Sequence, residues 1–169
     1  MMKLSSLVNK AKTSSLYLWI LNRILWYNIP FNSPHKFSIL KIDEGFVTLL
    51  LPYIRKNKNH INGVHACALA TASEYATGLC LTTRLSASEY RIILRSIHMD
   101  YHYQGKTDIS FDFLLENDLV ITQILDPLKT QEAVFVKLII NGFDSAKKHV
   151  CTGTIEWQVK RWASVKTKI

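Results

Sequence analysis

The sequence predicts an α+β domain in which one long helix is wrapped by about six mostly antiparallel strands. Three observations point there: an Ala-rich helical segment at mid-chain, a hairpin signal ahead of it, and period-two alternation through most of the chain beyond it. A length of 169 residues suits one domain and is short for two well-cored ones. At 48% hydrophobic residues, with only four prolines and six glycines, the chain is neither disordered nor low-complexity. No internal repeat of solenoid or propeller period is present.

In chain order, Ser14 to Ile29 is apolar on nearly every face apart from Asn22 and Arg23, and it stops before Pro30. This reads as a helix buried on two sides. It either packs over the core or lies in a membrane interface with Trp19 and Trp26 at headgroup depth. Phe37 to Ile42 and Phe46 to Tyr53 are short apolar runs split by Asp43-Glu44-Gly45, a hairpin signal. Pro52 cannot donate to a ladder, so the second strand is expected at an edge or to end there. After the polar Arg55 to Asn59, small and apolar residues from Gly63 to about Leu81 suit a helix with close neighbours on most sides.

Half-buried strands are expected next. Ile97, Met99, Tyr101 and Tyr103 share one face against Ser96, His98, Asp100 and His102. Ile109 to Leu115 alternates in the same way. Asp118 to Asp126 reads as a short helix or turn, Val134 to Ile140 as an apolar strand, and Cys151, Ile155, Trp157 and Val159 as the inner face of a last strand.

A net charge of +8 favours anionic partners. Nucleic acid is not expected, because the basic residues are scattered in pairs such as Arg55-Lys56, Lys147-Lys148 and Lys160-Arg161. Lys12, Arg23 and Lys36 break the apolar N-terminal stretch, so no run reaches the roughly 18 residues of a spanning helix. Despite Lys3, Lys10 and Lys12, the short apolar core after them lacks a cleavage pattern and reads as structure rather than a signal peptide. Cys67, Cys80 and Cys151 are widely spaced and odd in number, which fits a reducing cytoplasm; Cys67 and Cys80 read as small packing residues.

The densest polar constellation is Asn59-His60-Ile61-Asn62-Gly63-Val64-His65, running into the helix that carries Glu74. His65 and Glu74 are nine positions apart, so they point to opposite sides of a helix and are separated by roughly 13 Å along it. One chain cannot bring them to one site, whereas a two-fold dimer can. A carboxylate among apolar neighbours has its pKa raised, as a general base near neutral pH requires. Free N–H groups from His65 to Cys67, including that of Ala66, suit an oxyanion hole. Asn59 is placed to orient substrate or water. The alternative is structural: Glu74 bonds a neighbour and the Asn/His cluster caps the helix.

The run Asn59-His60-x-x-x-Val64-His65-Ala66-x-Ala68 through Glu74 and Gly78, continuing to Met99-Asp100-Tyr101 and Lys106-Thr107-Asp108, resembles a thioesterase-like hotdog family described as a domain of unknown function and similar to the PaaI-like acyl-CoA thioesterases. The resemblance covers most of the chain from Pro30 onward. It implies a hotdog fold, with residues 1–29 as a helical extension and 30–169 as the domain, whose second strand is an edge and whose two subunits join sheets edge to edge. It implies a homodimer, open to further pairing into tetramers, that hydrolyses acyl-CoA or an acyl-carrier-protein thioester, with coenzyme A as part of the substrate and no metal or other cofactor. Asn59, His65 and Glu74 match the family's asparagine, histidine and catalytic carboxylate, Glu74 serving as base on water or as nucleophile. The family's glycine after the histidine is Ala66 here, and its helper Ser or Thr falls at about Leu94, two residues before Ser96.

His60, Gly63, Arg91, Arg95, Ser96 and Lys106 are the candidate substrate contacts, with Arg84, Arg91, Arg95 and Lys106 the cations available to coenzyme A phosphates. Two further readings stay open: a non-catalytic acyl-CoA or lipid binder using the same pocket, and a hydroxyacyl-thioester dehydratase using His60 and Glu74, fourteen apart but without that family's Pro in between. Gly105-Lys106-Thr107 lacks the leading glycine of a phosphate loop and reads as a turn. His98 and His102, four apart in a strand, stand roughly 13 Å from each other, too far to share a metal.

Overall fold

The computed structural model describes residues 4–165; Lys3 and residues 166–169 lie outside them. Two helices come first, α1 (Leu4–Ala11) and α2 (Ser15–Asn28). The α1 helix was not expected; it packs along α2 and buries Leu7 and Ala11. The α2 helix matches its expected span but not its expected burial. It is buried along one side only, through Leu21 and Leu25, while Leu16, Trp19 and Tyr27 face outward.

The expected hairpin forms from β1 (Ser38–Asp43) and β2 (Phe46–Leu51), with Gly45 at φ 72° in the turn, a left-handed conformation glycine adopts without strain. The central helix α3 (Ala66–Arg84) is followed by β3 (Tyr90–Tyr101), β4 (Ile109–Leu114), a short helix α4 (Asn117–Val120) that runs on as irregular turns to Lys129, β5 (Ala133–Asp144) and β6 (His149–Arg161). All pairs in the six-stranded sheet are antiparallel, in the order β1-β2-β4-β5-β6-β3.

Of the two expectations for Pro52, the strand ends there: β2 stops at Leu51, just before it. The edge position implied for the second strand is corrected, because β2 lies between β1 and β4. The edges are β1 and β3. Edge position also explains why β3 is largely exposed instead of half-buried, and pairing with β6 extends it back to Tyr90, well before the alternation that announced it. Ladder hydrogen bonds to one long neighbour hold residues 90–96 in strand form without an apolar pattern of their own.

The sheet curves around α3, which touches β2 to β6 and buries Ala68, Leu69, Ala72, Tyr75, Ala76, Cys80 and Leu81. Close approach needs missing side chains. A Cβ on Gly153 of β6 would stand 3.1 Å from Ser73 Cβ, and one on Gly78 would stand 2.9 Å from the Trp157 ring. Trp157 Nε1 donates to Thr77 Oγ1 at 3.1 Å, so the one polar atom of a buried indole is satisfied by the helix it packs on.

Candidate active site

The N-terminus of α3 is fixed by His65, whose Nδ1 accepts from Cys67 N–H at 3.1 Å. That bond makes Nδ1 an acceptor and leaves the other ring nitrogen free to face outward. The N–H groups around it are consumed in turn: Val64 donates to Gly105 C=O, His65 to Asn57 C=O, and Ala68 and Leu69 to His65 C=O. Among the described residues, Ala66 N–H is the one amide of this turn with no acceptor in the chain. Tyr101 Oη donates to the Ala66 carbonyl at 3.2 Å, tying the turn to the β3 edge.

The loop before it is organised by Asn59 and Asn57. Asn59 Oδ1 accepts from Ile61 and Gly63 N–H at 3.1 and 2.9 Å, so this oxygen closes its own loop instead of standing free for substrate. Asn57 is completely buried. It donates to the carbonyls of His35 and Pro52 at 2.9 and 2.8 Å and shares a 2.8 Å bond with His35 Nδ1. Gly63 is packed under Gln104, while His60 is exposed in the loop. Through the Val64–Gly105 bond the neighbouring Lys106 joins this end of α3.

Glu74 lies halfway along α3, half-buried, in a cavity of about 340 Å³ walled by Thr71, Tyr75, Leu94, Ile97, Phe31 and Asn32. Burial pushes its carboxyl above the usual carboxylate range, and among the described residues no cation or hydrogen-bond donor pairs with it. Burial, with the Glu74 charge beside it, likewise raises the Tyr75 phenol and keeps it neutral. Leu94 and Ile97, three apart, reach the same face because the strand is bulged between Leu94 and Ser96. The position expected for a helper hydroxyl therefore does face Glu74, but it brings an apolar side chain there.

The other candidates are not gathered in this cavity. Ser96 Oγ donates to Glu156 Oε2 at 3.2 Å, and Arg95 pairs with the same carboxylate at 3.5 Å while lying over the Phe135 ring. Arg91 carries a buried Nε without a partner. Arg84 pairs with Glu44 at 2.8 Å at the far end of α3. His98 meets Asp100, and His102 meets Thr152. Cys80 is the packing residue expected, but Cys67, in the first turn of α3, is exposed.

Asn32 was missed. It is 5% exposed, lines the Glu74 cavity, and its amide makes no hydrogen bond within the described residues. Its one sequence signal was a polar residue in the turn PFNSPH. Thr71, three residues before Glu74 and so on the same helix face, was legible from spacing alone.

The family model described as a domain of unknown function, DUF4442, matches residues 18–159. No curated protein matches the chain in sequence. Among solved structures, the Pseudomonas aeruginosa protein PA5026, named a probable thioesterase of unknown function, is 21% identical with a TM-score of 0.76, over 84% of this chain and 95% of its own. The Haemophilus influenzae thioesterase HI1161 is 11% identical with a TM-score of 0.64, over 85% and 90%. A mutant of the Staphylococcus aureus thioesterase SAV0944 is 11% identical with a TM-score of 0.62, over 78% and 98%. These likenesses establish the thioesterase-type hotdog fold.

Proposed function

The chain belongs to the DUF4442 family, and from that premise we propose that it hydrolyses acyl thioesters carried on coenzyme A or a carrier protein, with Glu74 as the general base. The observation that carries this reading is an unpaired carboxylate held in a largely apolar cavity on the central helix. Such a group is costly to bury, and its raised pKa suits it to take a proton from water. Asn32, buried in the wall of the same cavity and with no side-chain hydrogen bond among the described residues, is the group we assign to orient that water or the carbonyl, a role Asn59 is poorly placed to fill.

In the proposed step, water adds to the thioester carbon as its proton passes to Glu74. The carbonyl electron pair moves to oxygen and is met by Ala66 N–H. Collapse of the adduct expels the thiolate, which recovers the proton. The scissile bond is already activated, so this chemistry asks for no cofactor. Glu74 and the His65–Ala66 turn are too far apart in one chain, so the reading includes a homodimer in which the helix start comes from the partner subunit. Support for pairing comes from β3, a sheet edge that exposes Ile93, Leu94, Ile97 and Tyr101.

A non-catalytic acyl-thioester binder is favoured by one observation, Leu94 in place of a hydroxyl beside Glu74. Free-thiol release from short, medium, long and aromatic acyl-CoAs, measured for the parent and Glu74→Gln, separates the two. Turnover that needs Glu74 supports the enzyme, and binding by calorimetry without turnover supports the binder.

A further inference from the structure

We propose that the outer face of α2 and the loop after it dock on an anionic phospholipid bilayer. At about 100° per residue, Leu16, Trp19, Ile20, Arg23 and Tyr27 fall within one arc, opposite the buried Leu21 and Leu25. Leu16 is 62%, Trp19 56%, Tyr27 85% and Phe31 69% exposed, a contiguous apolar and aromatic stripe of the kind soluble surfaces seldom leave open. No helix among the described residues is long and apolar enough to cross a membrane, so contact would be interfacial.

Charge identifies the occupant. Before Asp43 the chain has no Asp or Glu, yet it carries Lys3, Lys10, Lys12, Arg23, Lys36 and Lys41. Lys12 is matched by Asp43 at 3.8 Å, but the Arg23 guanidinium lies over the Trp19 and Trp26 rings and the Lys36 ammonium over Trp26. Lys36 and Lys56 flank a groove of about 390 Å³ floored by Trp26, Tyr27 and Pro30. Cations set among indole and phenol rings match a headgroup layer, in which phosphates meet the charges and the rings sit at the acyl boundary. The charge would be wasted on a neutral apolar partner.

The stripe leads into the wall of the Glu74 cavity through Ile29, Phe31 and Asn32. Docking therefore turns that cavity toward amphiphilic substrates, a consequence that alone rests on the thioester reading.

The test is flotation of the full chain with vesicles of pure phosphatidylcholine and with vesicles containing about a quarter phosphatidylglycerol. Recovery is read without substrate, so its failure is separate from failure of the catalytic reading. The expected result is about tenfold more protein on the anionic vesicles, abolished by high salt. Arg23→Glu with Lys36→Glu, and separately Tyr27→Ser, lower recovery while melting and sedimentation stay those of the parent. Tyr27 is exposed enough for its variant to fold. Equal recovery on both vesicles, or none of a folded parent, overturns the proposal. So does a Tyr27→Ser variant that sediments as a smaller species, which would assign the stripe to a second copy of the chain.

Discussion

Asn22 on α2 holds both backbone groups of Ile39 on β1: its Oδ1 accepts from Ile39 N–H at 2.7 Å and its Nδ2 donates to Ile39 C=O at 3.0 Å. A side-chain amide thus completes the ladder at an edge strand where the register shifts between Ile39 and Lys41. Asn22→Leu leaves both groups without a partner in a half-buried site and is expected to cost about 2–3 kcal/mol in urea denaturation. A loss below about 0.5 kcal/mol would mean that water replaces the amide freely.

Asn57 and Asn59 are separated by the same kind of measurement. Asn57→Ala leaves the His35 carbonyl and ring nitrogen without their partner and takes from the Pro52 carbonyl one of its two donors, the other being Ile54 N–H, with an expected cost of about 2–4 kcal/mol. Asn59→Ala removes only a partly exposed loop closure and should cost about 1 kcal/mol. The reverse order would contradict the assignment of Asn57 as the structural asparagine.

Stability should depend on pH through Glu74. Its carboxyl titrates above the ordinary 4.5 because burial disfavours the charge. The folded state therefore holds this proton more tightly than the unfolded chain, and its stabilisation is complete below that ordinary value and lost as pH rises through the raised one. Glu74→Gln is expected to melt higher than the parent at pH 8, with the difference shrinking toward pH 4. A difference that grows on acidification would show that Glu74 is paired.

Thiol chemistry gives a further check. Burial pushes the Cys80 and Cys151 thiols up to about 12, and both are enclosed, whereas Cys67 is exposed. The native chain should release colour with Ellman's reagent from Cys67 alone, and all three should react in denaturant. A Cys67→Ser variant that still labels in the native state would show that the core opens.

The local elements were legible where pattern decides them. The Asp43-Glu44-Gly45 turn, the Ala-rich α3 and the inward face of β6 all follow from sequence because each is set by neighbours in the chain. Edge identity was not, since β3 is an edge only through its pairing with β6, about fifty to seventy residues later. The bulge that aims both Leu94 and Ile97 at Glu74 breaks the period-two count that a sequence reading relies on. Asn22, Asn32 and Asn57 read as ordinary polar residues because their surroundings come from distant segments. At the candidate site, the sequence singled out Glu74 and the turn at Ala66, while the cavity wall contributed by the loop after α2 appeared only with the fold.

Whether Glu74 acts as a base is read most directly from the pH profile of thiol release from the best acyl-CoA, for the parent and for Glu74→Gln. The parent's rate should rise with pH through the raised Glu74 titration, and Glu74→Gln should lose about a hundredfold or more of that rate at neutral pH. A variant as fast as the parent, with an unchanged profile, would contradict that role.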